Sequence, residues 1–190
     1  YKRVLIKISG EALASEKQTG FDFDFIANVC KTVKSCVDMG VEVGIVVGGG
    51  NFWRGVKDGA GHVERVSADR MGMLATAMNC LAVADVFKQI GAKATIQTAV
   101  DIQGVGERYS TTEAIKHLEN GEVVMFGCGT GSPFFSTDTA AVLRAAEIGA
   151  DAILLAKNID GVYSADPRVD ASAVKYDSIS YDDVLARHLA

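Results

Sequence analysis

Short, continuously apolar runs alternate with longer amphipathic segments along this chain. The runs of strand character cover 3–8, 41–47, 94–98, 123–126 and 152–155. The segments of helical spacing cover 24–39, 67–90 and 138–148. A Ser-Thr-Thr-Glu capping box at 110–113 opens one more helix. Apolar strands that alternate with helices are typical of parallel sheets covered on both faces, so we predict an α/β fold in which helices sandwich a mostly parallel sheet.

The composition is that of one globular domain. The chain has 190 residues, of which 48% are apolar and 23% are charged, and these values suit a single hydrophobic core. The net charge of −5 and the lack of Lys/Arg runs argue against a nucleic-acid partner. An acidic chain that binds phosphates must use backbone N–H groups and a few local cations. Its 20 glycines and 2 prolines fit tight phosphate-binding loops better than a flexible linker.

The cysteines and histidines give no sign of a zinc centre. Cys30, Cys36, Cys80 and Cys128 form no CxxC pair, and the chain has 3 histidines. These spacings fit buried thiols in a reducing cytosol. We expect no bilayer-spanning run and no secretory leader, and therefore a cytoplasmic protein without a membrane partner.

Two loops with phosphate-binding character follow the first two predicted strands. Lys7 ends the first strand, and Ser9 and Gly10 let the backbone approach a nucleotide; the alternative is a lysine that extends from the strand end to solvent. Three glycines at 48–50 end the second strand and can turn N–H groups toward an anion, with Arg54 nearby as a bidentate cation. The alternative is a plain turn, which three consecutive glycines disfavour. The P-loop pattern, GxxxxGK followed by Ser or Thr, is absent.

A hydroxyl-rich loop over 127–137 follows the fourth predicted strand. It fails the dinucleotide-binding fingerprint, because Ser132 stands at the third glycine position. Its serine and threonine side chains can bind a base, a ribose or a phosphate. Asp138 follows at the start of a helix, where it can cap the helix, orient Lys7 and the glycine loops across the site, or do both.

Two further segments contain candidate nucleotide contacts. Residues 160–167 begin with an Asp-Gly turn, after which Tyr163 can stack on a purine. On this segment alone, a hairpin with a core tyrosine is the better interpretation. Asp69 begins the long predicted helix, where its negative charge also suits a first helical turn.

Taken together, these segments resemble those of bacterial UMP kinases, within the amino-acid-kinase family. The matching segments lie at 7–13, 48–55, 69–76, 129–138 and 160–167, in the family's order. The Met-Gly-Met-Leu-Ala-Thr run and the Gly-Thr-Gly-Ser-Pro-Phe-Phe run are the most specific to UMP kinases. The resemblance implies an amino-acid-kinase-like three-layer fold in one domain over 1–190, without the family's C-terminal segment. It also implies reversible phosphoryl transfer from ATP to UMP in pyrimidine nucleotide biosynthesis.

The resemblance implies roles for individual residues. The catalytic residues would be Lys7, Arg54 and Asp138. The residues that would contact ATP are Lys7, Ile8, Ser9, Gly10, Gly50, Arg54, Tyr163 and Asp166. The residues that would contact UMP are Gly49, Asp69, Thr130, Gly131, Ser132, Pro133, Phe134, Phe135, Ser136 and Thr137. Either Lys157 or Asn158 would add a further nucleotide contact.

The implied partners are ATP and UMP, with Mg²⁺ arriving on the ATP phosphates rather than in a protein cage. The resemblance also implies a homohexamer, activation by GTP through a segment at 15–20, and inhibition by UTP. No general base is expected, because the UMP phosphate is already an anion. Two alternatives stay open: another amino-acid kinase with a carboxylate acceptor, and a non-catalytic nucleotide-binding or storage protein on the same fold.

Overall fold

A computed structural model describes residues 1–54, 61–156 and 159–189 of the chain. They fall into two units, Tyr1–Ala156 and Lys157–Ala190. The strands of the first unit are β1 (Arg3–Ile8), β2 (Glu42–Val47), β3 (Ala94–Thr98), β4 (Glu107–Arg108), β5 (Val123–Gly127) and β6 (Ala152–Ala156). Its helices are α1 (Gly10–Ala14), α2 (Phe23–Asp38), α3 (Arg65–Gln89), α4 (Thr111–Glu119) and α5 (Thr137–Ile148), with a 3₁₀ turn at Ser15–Lys17. The second unit contains β7 (Val162–Tyr163), β8 (Lys175–Tyr176) and α6 (Tyr181–Ala186).

The first unit is built on a six-stranded sheet of order β4-β3-β5-β2-β1-β6. Each pair of neighbouring strands is parallel. The predicted α/β class is therefore confirmed. The sequence did not predict β4, because a strand of two exposed residues leaves no hydrophobic alternation to detect.

The two faces of the sheet bury different helices. Side chains alternate between the faces along a strand, so Val4 and Ile8 of β1 pack with α2 and α3, whereas Leu5 packs with α4 and α5. The same alternation places Lys7 on the face of Leu5, under α5. The result is three layers, helix–sheet–helix, with one apolar cluster on each side of the sheet.

Side-chain caps fix where α4 and α5 begin. The Ser110 hydroxyl accepts a hydrogen bond from the Glu113 N–H, and the Ser136 hydroxyl accepts one from the Thr139 N–H. Each satisfies a backbone donor that the first helical turn leaves open, which is worth about 1 kcal/mol. The capping box at 110–113 therefore opens a helix as the sequence predicts.

Two apolar elements differ from the sequence expectation. By length and composition alone, α3 could cross a membrane, although core helices of soluble proteins pass the same test. Its inner face packs against β3 and β5, as expected of a core helix. Strand β6 was expected to be buried, but Leu154 and Leu155 are 46% and 50% exposed. Within the described residues β6 forms one edge of the six-stranded sheet and pairs with β1 only, so fewer neighbouring side chains flank it.

The thiols are mostly core groups. Cys30, Cys80 and Cys128 are buried and Cys36 is partly buried, all four unbridged. Burial raises the pKa of Cys30 and of Cys80 to about 12. Since the thiolate is the reactive form, these two cysteines are inert packing groups at neutral pH.

Candidate functional site

Three loops of the first unit meet at the carboxyl ends of β1, β2 and β5. In a parallel sheet these ends share one edge, where α/β proteins bind ligands. The Gly48 N–H donates to the Ile8 carbonyl at 2.9 Å, which joins the ends of β1 and β2. A methyl group on Gly10 would lie 2.5 Å from the Gly48 oxygen and 2.6 Å from the Gly50 nitrogen. Residue 10, the first of α1, must therefore be glycine for the two loops to pack together.

Lys7 pairs with Asp138 at this edge, where β1 ends. The Lys7 ammonium lies 2.8 Å from Oδ1 of Asp138, and Lys7 is 8% exposed. Asp138 is the second residue of α5, and Ser136 is the N-cap. The interpretation of Asp138 as an N-cap is therefore wrong, because its carboxylate is turned toward the lysine. The position still suits a negative charge, since the first turn of a helix carries partial positive charge.

Arg54 pairs with a residue that the sequence analysis did not single out. Its Nη2 lies 2.5 Å from Oε1 of Glu11, and both side chains are 43% exposed. Its Nε donates to the Gly50 carbonyl at 3.4 Å. Arg54 thus reaches along the glycine loop toward α1. The sequence did not single out Glu11, because a glutamate in a first helical turn carries no local feature that marks it as the partner of an arginine.

A cleft of about 160 Å³ opens beside the glycine loop, between α3 and the loop that follows β5. Six of the predicted UMP contacts line it: Gly49, Asp69, Thr130, Ser132, Phe135 and Thr137. Other predicted contacts, among them Phe134, belong to the same loop without being part of this lining. The lining residues that were not predicted as nucleotide contacts are Trp53, Ala68, Gly72, Met73, Thr76, Cys128 and Gly129.

Asp69 connects α3 to the hydroxyl-rich loop. Its carboxylate accepts a hydrogen bond from the Phe134 N–H at 2.8 Å and pairs with Arg65 at 2.9 Å. Helix α3 begins at Arg65, so Asp69 stands in the second turn and not, as predicted, at the start of the helix. The carboxylate therefore fixes the loop at one end of the cleft, where Phe134 adopts a left-handed φ of 71°.

Thr76 holds the same loop about two helical turns further along α3. Its hydroxyl accepts a hydrogen bond from the Cys128 N–H at 2.7 Å and donates one to the Met73 carbonyl at 2.7 Å. Cys128 has a φ of 65°, a left-handed conformation that an L-residue rarely adopts without support. The buried hydroxyl supplies that support at the point where β5 gives way to the loop.

Tyr163 and Asp166 belong to the second unit. Val162–Tyr163 pairs antiparallel with Lys175–Tyr176, so Tyr163 stands in a short strand pair. Its hydroxyl donates to Asp160 at 2.8 Å. The hydrogen bond from Lys175 lowers the pKa of Asp160, and hydrogen bonds from Arg168 lower the pKa of Asp166. Both carboxylates are therefore ionised at neutral pH. The predicted contact by Lys157 or Asn158 lies outside the described residues.

Comparisons with known proteins match almost the whole chain. The sequence profile of the amino acid kinase family matches residues 2–190. The crystal structure of UMP kinase from Bacillus anthracis is 40% identical in sequence, with a TM-score of 0.93 over 99% of this chain and 78% of that one. The crystal structure of UMP kinase from Ureaplasma parvum is 33% identical, with a TM-score of 0.92 over 98% of this chain and 80% of that one.

The close approach of the first two loops is tested by paired glycine substitutions. We expect Gly10→Ala to lower the free energy of unfolding by about 1–3 kcal/mol, because the methyl group overlaps backbone atoms of the glycine loop. The control is Gly72→Ala in α3, whose methyl group would meet only Trp53 Cδ1 at 3.8 Å. It should stabilise the protein by up to about 1 kcal/mol through helix propensity. Urea denaturation measures both, and equal effects would contradict the packing described.

Proposed function

Because the chain belongs to the amino acid kinase family, we propose that it is a UMP kinase, which transfers a phosphoryl group from ATP to UMP and releases ADP and UDP. The observation that carries this proposal is the Lys7–Asp138 pair, set between the glycine loop and the cleft beside α3. The likeness to two UMP kinases at 40% and 33% identity supports UMP as the acceptor.

The chemistry asks for positioning and charge neutralisation rather than covalent catalysis. Lys7 and Arg54 would neutralise charge on the transferred phosphoryl group, together with N–H groups of the glycine loop. Asp138 would keep the Lys7 ammonium at the junction of the two nucleotides. The UMP phosphate is already an anion, so the reaction needs no general base. Substrate phosphates also form charge-assisted hydrogen bonds, so they would compete with Asp138 for Lys7 and with Glu11 for Arg54.

The two nucleotides would occupy opposite sides of the glycine loop. ATP would contact Lys7, Arg54 and Gly50 of the first unit. Tyr163 and Asp166 of the second unit are proposed as contacts for the ATP base and ribose on the family resemblance alone. UMP would fill the cleft, where Asp69 and Thr137 are candidate contacts for its ribose and phosphate. Hydroxyls of Thr130, Ser132 and Thr137 line the cleft beside apolar side chains such as Trp53 and Phe135, a mixture that suits a nucleotide with a flat base and polar edges.

Mg²⁺ would bind chiefly through the ATP phosphates. No group of three His, Cys, Asp or Glu side chains within 1–54, 61–156 and 159–189 could hold a metal ion. Mg²⁺ commonly keeps several waters and shares the phosphates of its nucleotide, so a metal that arrives with ATP needs no group of three protein ligands. When bound, the ion would neutralise phosphate charge and leave Lys7 and Arg54 to orient the transferred group.

We further propose a cytoplasmic enzyme of pyrimidine nucleotide synthesis that assembles as a homohexamer, with GTP as activator and UTP as inhibitor. An apolar stripe on the outer face of α3, hereafter the outer stripe, supports self-association. It consists of Met71, Leu74, Met78 and Leu81, which are 40%, 52%, 46% and 42% exposed. Steps of three and four residues are the spacing of a coiled-coil seam, which a second copy of the same helix can match.

The acceptor is tested by offering UMP, CMP, dUMP, AMP and aspartate separately to the protein with ATP and Mg²⁺. We expect ADP release with UMP at least tenfold faster than with the other acceptors. The single tryptophan of the chain, Trp53, lines the cleft, so UMP should also change its fluorescence at saturation. Turnover with aspartate instead would favour a carboxylate kinase. A fluorescence change without turnover would favour a nucleotide-binding protein.

The role of Lys7 is tested by Lys7→Ala. We expect kcat to fall about a hundredfold or more, because one preorganised electrostatic donor is lost at the transferred group, while the KM for UMP changes much less. The matched control is Lys2→Ala, which removes a lysine that pairs with Glu42 beside the opposite end of the sheet and should leave kcat unchanged. A near-normal kcat in Lys7→Ala would remove Lys7 from the mechanism.

The outer stripe is tested by Leu74→Glu combined with Met78→Glu. We expect light scattering to report a hexamer for the unmodified chain and a smaller species for the double variant, because buried carboxylates at a seam are costly. The control is Val142→Glu on α5, since Val142 is 60% exposed outside the stripe. If the double variant stays hexameric, the stripe is not an interface.

A further inference from the structure

Two buried carboxamides face each other beneath the glycine loop. Asn79, on the inner face of α3, is 0% exposed, and Asn51, directly after the glycine loop, is 2% exposed. Burying a carboxamide is costly unless its polar atoms are hydrogen-bonded. Packing alone therefore does not account for two buried carboxamides at one point of the fold.

The two side chains satisfy one another. Asn79 Nδ2 donates to Asn51 Oδ1 at 2.8 Å, and Asn51 Nδ2 donates to Asn79 Oδ1 at 2.9 Å. The remaining N–H of Asn79 donates to the Gly48 carbonyl at 2.7 Å, and that of Asn51 donates to the Gly20 carbonyl at 2.9 Å. A primary amide has two N–H donors, so all four donors of the pair are used.

The backbone partners determine which way each amide is turned. The Gly48 and Gly20 carbonyls are acceptors only, so each must face an NH₂ group. Once the NH₂ groups are assigned, the two side-chain oxygens can only face each other's nitrogens. An aspartate at either position keeps the shape but loses the donors, and an aliphatic residue loses both donors and acceptor.

The hydrogen bond from Asn79 sets the direction of the peptide unit at the front of the glycine loop. Gly48 is held on both sides, by its N–H to Ile8 and by its carbonyl to Asn79. In a trans peptide the N–H of the next residue points opposite to the carbonyl. Holding the Gly48 carbonyl against α3 therefore turns the Gly49 N–H away from the amide pair, and Gly49 lines the cleft.

We propose that Asn79 is a positioning residue for phosphoryl transfer. Through the Gly48 carbonyl it sets the orientation of the Gly49 N–H and the loop that follows, and Asn51 completes the pair. Asn79 itself does not line the cleft and touches no substrate. This inference rests on the proposed kinase activity for the expected change in kcat. The orientation of the glycine loop by Asn79 does not depend on that activity.

Asn51 has a second task, which makes Asn79 the better residue to test. The Asn51 carbonyl accepts hydrogen bonds from the Gly20 N–H at 3.2 Å and the Thr19 hydroxyl at 3.0 Å. A substitution at Asn51 removes the side-chain hydrogen bond to the Gly20 carbonyl as well, and therefore also disturbs the segment before α2. The side chain of Asn79 contacts the loop through the amide pair and the Gly48 carbonyl.

The experiment compares Asn79→Asp and Asn79→Ala with the unmodified chain, at a temperature well below every melting temperature. We expect kcat to fall about tenfold to a hundredfold, since small misplacements of a reacting group have effects of that order. The KM values for ATP and UMP should change less than threefold. The double variant Asn51→Ala/Asn79→Ala should be little worse than Asn51→Ala alone, because the two side chains act as a unit.

The control for simple destabilisation is Thr95→Val. It removes a hydrogen bond to Glu122, 2.6 Å long, near the opposite end of the sheet. It should lower the melting temperature without changing kcat per folded molecule. The inference is overturned if the Asn79 variants keep kcat within twofold of the unmodified chain. It is also overturned if, at an equal loss of stability, their kcat falls no further than that of Thr95→Val.

Hydrogen exchange tests the positioning role of Asn79 without relying on activity. If the unmodified chain does not phosphorylate UMP, that result refutes the proposed function alone. We expect Asn79→Asp to raise amide exchange in a peptide that covers residues 48–53, where the Phe52 and Trp53 N–H groups donate to the Gly49 carbonyl. Thr95→Val should leave that peptide unchanged. Unchanged exchange in Asn79→Asp would overturn the positioning role.

Discussion

The arrangement of the site depends on a lysine ammonium held almost out of water at the end of a strand. An unpaired ammonium in that position would cost several kcal/mol in lost hydration. Alternation along β1 places Lys7 on the sheet face covered by α5, so its counter-charge has to come from that helix. Asp138 in the first turn of α5 meets the requirement at 2.8 Å. The loop that leads into α5 is thereby placed beside the glycine loop, and the cleft lies near their junction.

The long helix α3 holds that cleft in shape from behind. Thr76 and Asn79 are three residues apart, which places them on one side of the helix. One binds the loop after β5 through Cys128, and the other binds the loop after β2 through Gly48. Buried side-chain hydrogen bonds therefore arrange both loops before a ligand enters. Such preorganisation reduces the entropy that would otherwise be lost on binding.

Much of this was predictable from sequence because it is local. The strand at 3–8, the cap at Ser110 and the position of the three loops after apolar strands all follow from runs of neighbouring residues. The pairing of Arg54 with Glu11 and of Asn51 with Asn79 was not predictable, because each joins segments that only the folded sheet brings together. The exposure of β6 was missed for a related reason. An apolar run predicts a strand, but whether that strand lies inside or at the edge of a sheet depends on topology.

The parallel connection of β1 with β6 has a consequence for the order of events during biosynthesis. Lys2, directly before β1, donates its backbone N–H to Asp151, which is 149 residues further along the chain. Parallel pairing at such separation cannot begin until the later strand exists. At translation rates of about 5–20 residues per second, β1 waits on the order of ten seconds for β6, although β2 can pair with its other side much earlier. During that interval the β6 side of β1 presents unpaired backbone N–H and C=O groups, because the strand that will pair with it has not yet been made.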